Sequence, residues 1–186
     1  MTRDTYTGKF LLAMPGMGDP RFEKSVIYIC SHTSEGAMGL MINHPASTLD
    51  FPQLLNELKI PAPDNISDVP VYLGGPVEQG RGFVLHSADY AQDTTMVVSE
   101  TVALTATVDI LKALSKGEGP KNHLLVLGYA GWGAGQLEQE MQENAWHMSN
   151  ADDEIIFHTP DESKWTLAMA QLGVDVNMLS SEAGHA

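Results

Sequence analysis

Short apolar runs, each closed by glycine, proline or asparagine, set the pattern of the chain. Phe10-Leu11-Leu12-Ala13-Met14 is stopped by Pro15-Gly16. Val26-Ile27-Tyr28-Ile29-Cys30 is β-branched and aromatic, the composition a pleated, half-buried surface favours. Gly39-Leu40-Met41-Ile42 is closed by Asn43-His44-Pro45. Pro70-Val71-Tyr72-Leu73, Phe83-Val84-Leu85-His86, Thr95-Met96-Val97-Val98 and Leu124-Leu125-Val126-Leu127-Gly128 read as further strands. Glu154-Ile155-Ile156-Phe157 is the last strand the pattern predicts.

Four helices are predicted between these runs. Phe51, Leu54, Leu55 and Leu58 recur at helical spacing behind Asp50. Val108, Leu111 and Leu114 mark a second helix, ended by Gly117. Leu137 and Met141 mark a third, acidic one. The fourth carries the clearest start signal, Thr159-Pro160-Asp161-Glu162, which reads as a capping box with proline at the first helical position. Its apolar face is Trp165, Ala168, Met169 and Leu172, with Gly173 in the C-terminal cap position. Several strands precede each helix early on, so the order is not a regular βαβ alternation and the class is α+β. The stretch 61–68, with two prolines, reads as a loop inside one domain, and residues 1–186 as a single domain.

Composition narrows the setting. A chain of 186 residues with 43% hydrophobic content buries one sizeable core, and 18% charged residues is too few for a disordered chain. No run of about 18 apolar residues occurs, so no membrane contact is expected. The N-terminus lacks the apolar core and cleavage site of a signal peptide, and the single cysteine, Cys30, suits a reducing compartment. A cytoplasmic location is therefore expected. The net charge of −14 opposes direct contact with nucleic acid, whose binding rests on Lys and Arg displacing counterions. Lys112, Lys116 and Lys121 come nearest to a basic cluster, and Glu118 sits among them.

Glycine concentrates in three segments, each at the end of a predicted strand. They are Met14-Pro15-Gly16-Met17-Gly18-Asp19-Pro20-Arg21-Phe22, Gly74-Gly75-Pro76-Val77-Glu78-Gln79-Gly80-Arg81-Gly82 and Gly128-Tyr129-Ala130-Gly131-Trp132-Gly133-Ala134-Gly135. Glycine there allows backbone N–H groups to converge on a ligand. Two of the three arginines, Arg21 and Arg81, lie in these segments, and guanidinium suits carboxylate or phosphate. The competing reading is structural pairing: Arg21 lies beside Asp19 and Glu23, and Arg81 is three residues from Glu78. The third segment lacks the lysine and hydroxyl of a P-loop and the G-x-G-x-x-G spacing.

These three segments, in this order, resemble the AlgH/YqgE family of uncharacterised bacterial proteins. The resemblance runs through residues 11–30, Gly36-Ala37-Met38-Gly39-Leu40, Gly74-Gly75-Pro76-Val77 and Arg81-Gly82-Phe83-Val84-Leu85-His86. It continues through residues 127–132, Gly135-Gln136-Leu137-Glu138, Asn144-Ala145-Trp146 and the tail Ala183-Gly184-His185-Ala186, nearly the whole chain. It implies an α+β fold with a branched mixed sheet, partly curled into a small barrel and surrounded by helices. Some members bear the name of transcriptional regulators, yet no helix-turn-helix is present. The chain departs from the family pattern at Ser31-His32, where Glu-His is usual, at His44, where Lys or Arg is common, and at Gly133, where an acid is usual.

Candidate chemistry is sparse. Cys30 and His32 are two apart on a strand and are expected on one side of it, but no third triad member accompanies them. The seven histidines show no metal-ligand spacing, and no G-x-S-x-G elbow occurs. His86, beside the second glycine segment, is the histidine best placed for a pocket; the stronger reading makes it a partly buried, hydrogen-bonded side chain. Trp132, between glycines, caps either a ligand or the core. The site these arguments outline is Arg21, Gly74, Gly75, Arg81, His86, Gly131 and Trp132. It would serve a non-enzymatic regulatory or binding protein that takes an anionic small molecule or a protein partner without touching DNA. A small-molecule enzyme using His86 and a transcriptional regulator are the alternatives. No catalytic residue, metal or cofactor is expected.

Overall fold

The computed structural model describes residues 6–14, 24–47, 49–61 and 69–172. In chain order these form β1 (Lys9–Ala13), β2 (Val26–Thr33), β3 (Gly36–Met41), α1 (Phe51–Glu57), β4 (Val71–Leu73), β5 (Val77–Ser87), β6 (Met96–Val97), β7 (Val102–Thr105), α2 (Val108–Ser115), β8 (His123–Gly133), α3 (Gln136–Gln142), β9 (Trp146–Asn150), α4 (Asp153–His158) and α5 (Asp161–Gln171). The mixed α+β class holds. The chain divides into two units, Met1–Asn43 with Ala130–Ala186, and His44–Tyr129. The first glycine segment past Met14, the loop at 62–68, Gly173 and the tail lie outside the described residues.

In the first unit the strand order is β8–β3–β2–β1–β9, antiparallel throughout, with the last part of β8 pairing β3 from Gly36↔Gly133 to Gly39↔Ala130. One face buries Leu11, Ile27, Ile29, Trp132, Leu137 and Trp146. The α5 helix is tied in by polar bonds: Trp165 donates its indole N–H to the Ala13 carbonyl at 3.0 Å. Lys164, 1% exposed, donates to the Ile42 carbonyl at 2.6 Å and pairs with Asp161 at 3.0 Å. Burial lowers the Lys164 pKa, with Asp161 opposing.

In the second unit the order is β6–β7–β5–β8, antiparallel, and β4 lies parallel to β8 from Val71↔Leu125 to Leu73↔Leu127. With β3, β4 and β5 all as partners, β8 makes the sheet both branched and mixed. The α1 and α2 helices cover its core, which includes Phe51, Leu55, Ile110, Leu114 and Leu125. A full capping box opens α1: Asp50 accepts the Gln53 amide at 2.9 Å, and the Gln53 side chain accepts the Asp50 amide at 2.9 Å.

Three local expectations are corrected. Residues 154–157 belong to α4, not to a strand, because Asp152 caps the Glu154 amide and starts a helix. The Thr159 hydroxyl donates to the Glu154 carbonyl at 2.9 Å, so it closes α4 and does not cap α5, which starts behind Pro160 with no side-chain cap. Leu172 is an exposed C-terminal cap, not part of the buried face. The pattern also missed β7 and β9 and ended β8 too early: it runs on through Gly128 to Gly133.

Candidate functional site

The His44–Tyr129 unit contains a buried polar chain centred on His86, which is 0% exposed. Its Nδ1 lies 2.8 Å from the Ser87 carbonyl and its Nε2 2.7 Å from the Thr105 hydroxyl. Thr105 meets Thr95 at 2.8 Å, and Thr95 accepts the Gln92 amide at 2.8 Å. The Gln92 side chain accepts from Thr107 at 2.6 Å and donates to the Tyr90 phenol at 2.7 Å. Directly across the β5–β8 ladder stands His123. Burial lowers the pKa of His86, partly opposed by the Ser87 carbonyl and Asp89. Burial and then the charge of His86 lower that of His123. The Ser87 hydroxyl and the Lys121 amide hold the Asp89 carboxyl below its ordinary value.

Beside this chain lies an open cleft of about 150 Å³. Leu54, Leu58, Val84, Leu111 and Leu127 give it an apolar floor, while Thr105, Thr107 and the Gly80-Arg81-Gly82 stretch form part of its rim. Thr107 stands at the N-cap of α2, but its hydroxyl is spent on Gln92 and gives no cap bond. Among the described residues no carboxylate, imidazole, thiol or amine lines the cleft, and Arg81 is the single charged one. The Arg81 guanidinium lies 5.0 Å from the Phe83 ring and 3.8 Å from Glu78. Glu78, in the left-handed region at φ +46°, also accepts from the Tyr129 phenol and raises that group's pKa.

The other unit holds a different cluster. Trp132 and Trp146 both donate their indole N–H to Glu140 Oε1, at 3.0 and 2.9 Å, and Gln136 donates to Oε2 at 2.9 Å. Nearby in sequence, Glu138 lies 3.3 Å from His32 Nε2, while His32 Nδ1 accepts the Tyr6 amide at 3.0 Å and its ring stacks on Tyr6. The acid that Ser31 does not supply beside His32 thus comes from α3. Cys30 and His32 do not share a side. The register shifts between Ile29 and Ser31, and this bulge turns His32 toward Ala37 and the face that carries Ile27 and Ile29. Burial pushes the Cys30 thiol up to about 12. Ellman's reagent at neutral pH is expected to label Cys30 only on unfolding; prompt labelling of the native chain would contradict this burial.

Of the residues singled out from sequence, Arg21 lies outside the described residues. Gly74, Gly75, Arg81 and His86 belong to one unit, Gly131 and Trp132 to the other. Arg81 and His86 stand five residues apart on β5, about 17 Å of strand. The second and third glycine segments meet within the His44–Tyr129 unit as backbone packing. Gly74 donates its amide to the Leu127 carbonyl at 2.7 Å, and a Cβ on Gly128 would stand 2.6 Å from the Gly75 carbonyl oxygen. Thr105, Gln92 and Glu140 were missed, because nothing in their local sequence marks a distant partner.

A mixed α+β fold with a branched sheet defines the class to which this chain is compared. A family model described as AlgH-like matches residues 10–177, and the chain belongs to that family. A UPF0301 protein of Bradyrhizobium sp. is 54% identical over 187 residues, covering 96% of this chain and 87% of that protein. A UPF0301 protein of Rhodospirillum rubrum is 51% identical over 180 residues, covering 97% and 94%. The solution structure of the AlgH protein from Pseudomonas aeruginosa matches with a TM-score of 0.81 and 41% identity, covering 100% of each chain. The crystal structure of a protein from Corynebacterium diphtheriae, 20% identical, has a TM-score of 0.72 over 91% and 88% of the two chains and shares the fold. Among the described residues no helix is long and apolar enough to cross a membrane.

Proposed function

We propose that this AlgH-like protein works by binding, and that the cleft of the His44–Tyr129 unit takes a small anionic molecule without direct contact with DNA. The lining of the cleft carries this reading: among the described residues it has an apolar floor, one cation on the rim, and no carboxylate, imidazole, thiol or amine to act as base or to activate its threonine hydroxyls. The Arg81–Glu78 pair is 3.8 Å long with both side chains more than half exposed. Such pairs contribute about 0–1 kcal/mol, so Arg81 turns onto a ligand at little cost. The groups that suggest chemistry lie elsewhere: Cys30 is a buried thiol of the other unit, and His86 is absent from the described cleft lining and bonds to the Thr105 hydroxyl on its rim.

A thermal-shift screen of the purified chain against small carboxylates and phosphomonoesters tests this. A ligand at 100 times its dissociation constant adds about 2.7 kcal/mol of stability. A hit is expected that Arg81→Ala abolishes and that Val108→Trp, on the exposed rim, blocks. A panel without hits, or hits indifferent to both variants, would remove the reading, and turnover of any compound would favour an enzyme.

A further inference from the structure

Residues 90–95 are strapped to the rest of their unit by side-chain bonds that trace back to one ring nitrogen. The Ser87 carbonyl can only accept, so His86 Nδ1 carries the proton. Nε2 is then an acceptor and takes the Thr105 hydroxyl proton at 2.7 Å. With its proton spent there, Thr105 accepts from Thr95 at 2.8 Å, and Thr95 accepts the Gln92 amide at 2.8 Å. Gln92 in turn holds Thr107 and Tyr90. The neutral Nδ1–H tautomer thus fixes the direction of both hydroxyls between the ring and the strap.

We infer that His86 is an acid-sensitive latch for this strap. A proton arriving from solvent at Nε2 turns that atom from acceptor to donor, and no other covalent bond changes. Thr105 must then accept from the ring and donate to Thr95. Thr95 now receives two protons, from Thr105 and from the Gln92 amide, and its own hydroxyl loses its acceptor. Thr95 holds both protons on its two lone pairs, but its stranded O–H weakens the closed arrangement, so residues 90–95 loosen and Thr107 on the cleft rim loosens with them. That this changes what the cleft holds rests on the binding reading above; the latch itself does not.

The surroundings of the ring set the pH range. From β8 comes His123, whose Nδ1 is buried without a hydrogen-bond partner among the described residues, so a second charge beside His86 is disfavoured. From the turn after β5 come Asp89, whose carboxylate favours the cation, and Tyr90, whose ring meets His86 edge-on at 5.8 Å. The β7 strand, Val-Ala-Leu-Thr, brings no titratable side chain. Burial outweighs Asp89 and lowers the His86 pKa from its ordinary 6.5. A base whose folded pKa is depressed binds fewer protons folded than open. The closed strap is therefore fully favoured above pH 6.5 and is lost as pH falls from 6.5 toward the folded value.

Hydrogen exchange on the full chain at pH 7.5 and pH 5, corrected for intrinsic rates, tests the latch. Peptides covering residues 90–97 are expected to lose protection by about tenfold at pH 5, a fall of about 1.4 kcal/mol in the free energy of opening. Peptides of β1 and β2 serve as the reference. The His86→Gln variant keeps a carbonyl for Thr105 and an N–H for Ser87 but does not titrate, so its strap should be indifferent to pH. An equal response in both proteins, or no response in either, overturns the proposal. If the variant fails to fold, nitrogen NMR of the unmodified chain decides: the Nδ1–H tautomer must dominate at neutral pH, and strap amides must shift with the His86 midpoint. An Nε2–H tautomer, or strap shifts that follow His44 or His123, would overturn it.

Discussion

Replacing Glu140 by alanine is expected to cost about 2–4 kcal/mol of folding stability. One carboxylate oxygen accepts both the Trp132 and the Trp146 indole N–H, and its mate accepts from Gln136. The tryptophans are 8% and 4% exposed, so water cannot readily replace the lost acceptor. Depriving a buried donor of its acceptor costs about 1–3 kcal/mol, and two donors lose theirs together. Glu140→Gln keeps an acceptor oxygen and should lose less than half as much. Urea unfolding followed by tryptophan fluorescence measures both, with an unchanged denaturant slope as the sign that only stability moved. A loss below about 1 kcal/mol for the alanine variant would mean that the indoles find other acceptors and that the clamp contributes little.

Gly128→Ala is expected to be worse, at about 3–5 kcal/mol. Gly128 sits at φ +74°, where an L side chain itself costs about 1–2 kcal/mol. The added Cβ would also meet two backbone oxygens, of Gly75 at 2.6 Å and of Val77 at 3.1 Å, neither of which can rotate away. Gly80→Ala is the control: nothing lies within 4 Å of its Cβ position, and its change should stay within about 0.5 kcal/mol. The pair also separates two roles for glycine. Gly128 and Gly75 are close backbone packing, whereas Gly80 lines the cleft rim, so loss of a ligand in a stable Gly80→Ala protein would report on binding. A Gly128→Ala chain that unfolds within 1 kcal/mol of the parent would refute the close approach.

Signals that act over a few residues were legible in the sequence. The Asp50 start of α1, the α2 helix marked by Leu111 and Leu114 and the β-branched body of β2 were all read correctly, since cap, periodicity and pleat involve neighbours along the chain. Where two local signals competed, reading failed. Thr159 looks like the cap of α5 yet closes α4, because its hydroxyl has a free carbonyl five residues behind it. Ile155-Ile156-Phe157 suits strand or helix equally, and the Asp152 cap decides. The bulge at Cys30 was invisible, since a register shift depends on the partner strand.

The candidate site was legible only in pieces. Sequence picked out His86 and the second glycine segment but could not find Thr105, 19 residues away, or the cleft that Thr105 shares with Arg81. His32 was paired in prospect with Cys30; packing pairs it instead with Glu138. By itself the sequence determined the α+β class, the family and the rough positions of four of the five helices seen among the described residues and of most strands, because backbone preference and hydrophobic spacing are local properties. Tertiary structure alone decided which acid meets which ring, as with Glu140 and its two indoles, and which glycines are sterically required. Those outcomes depend on atoms brought within about 3 Å by packing, across separations that no sequence window spans.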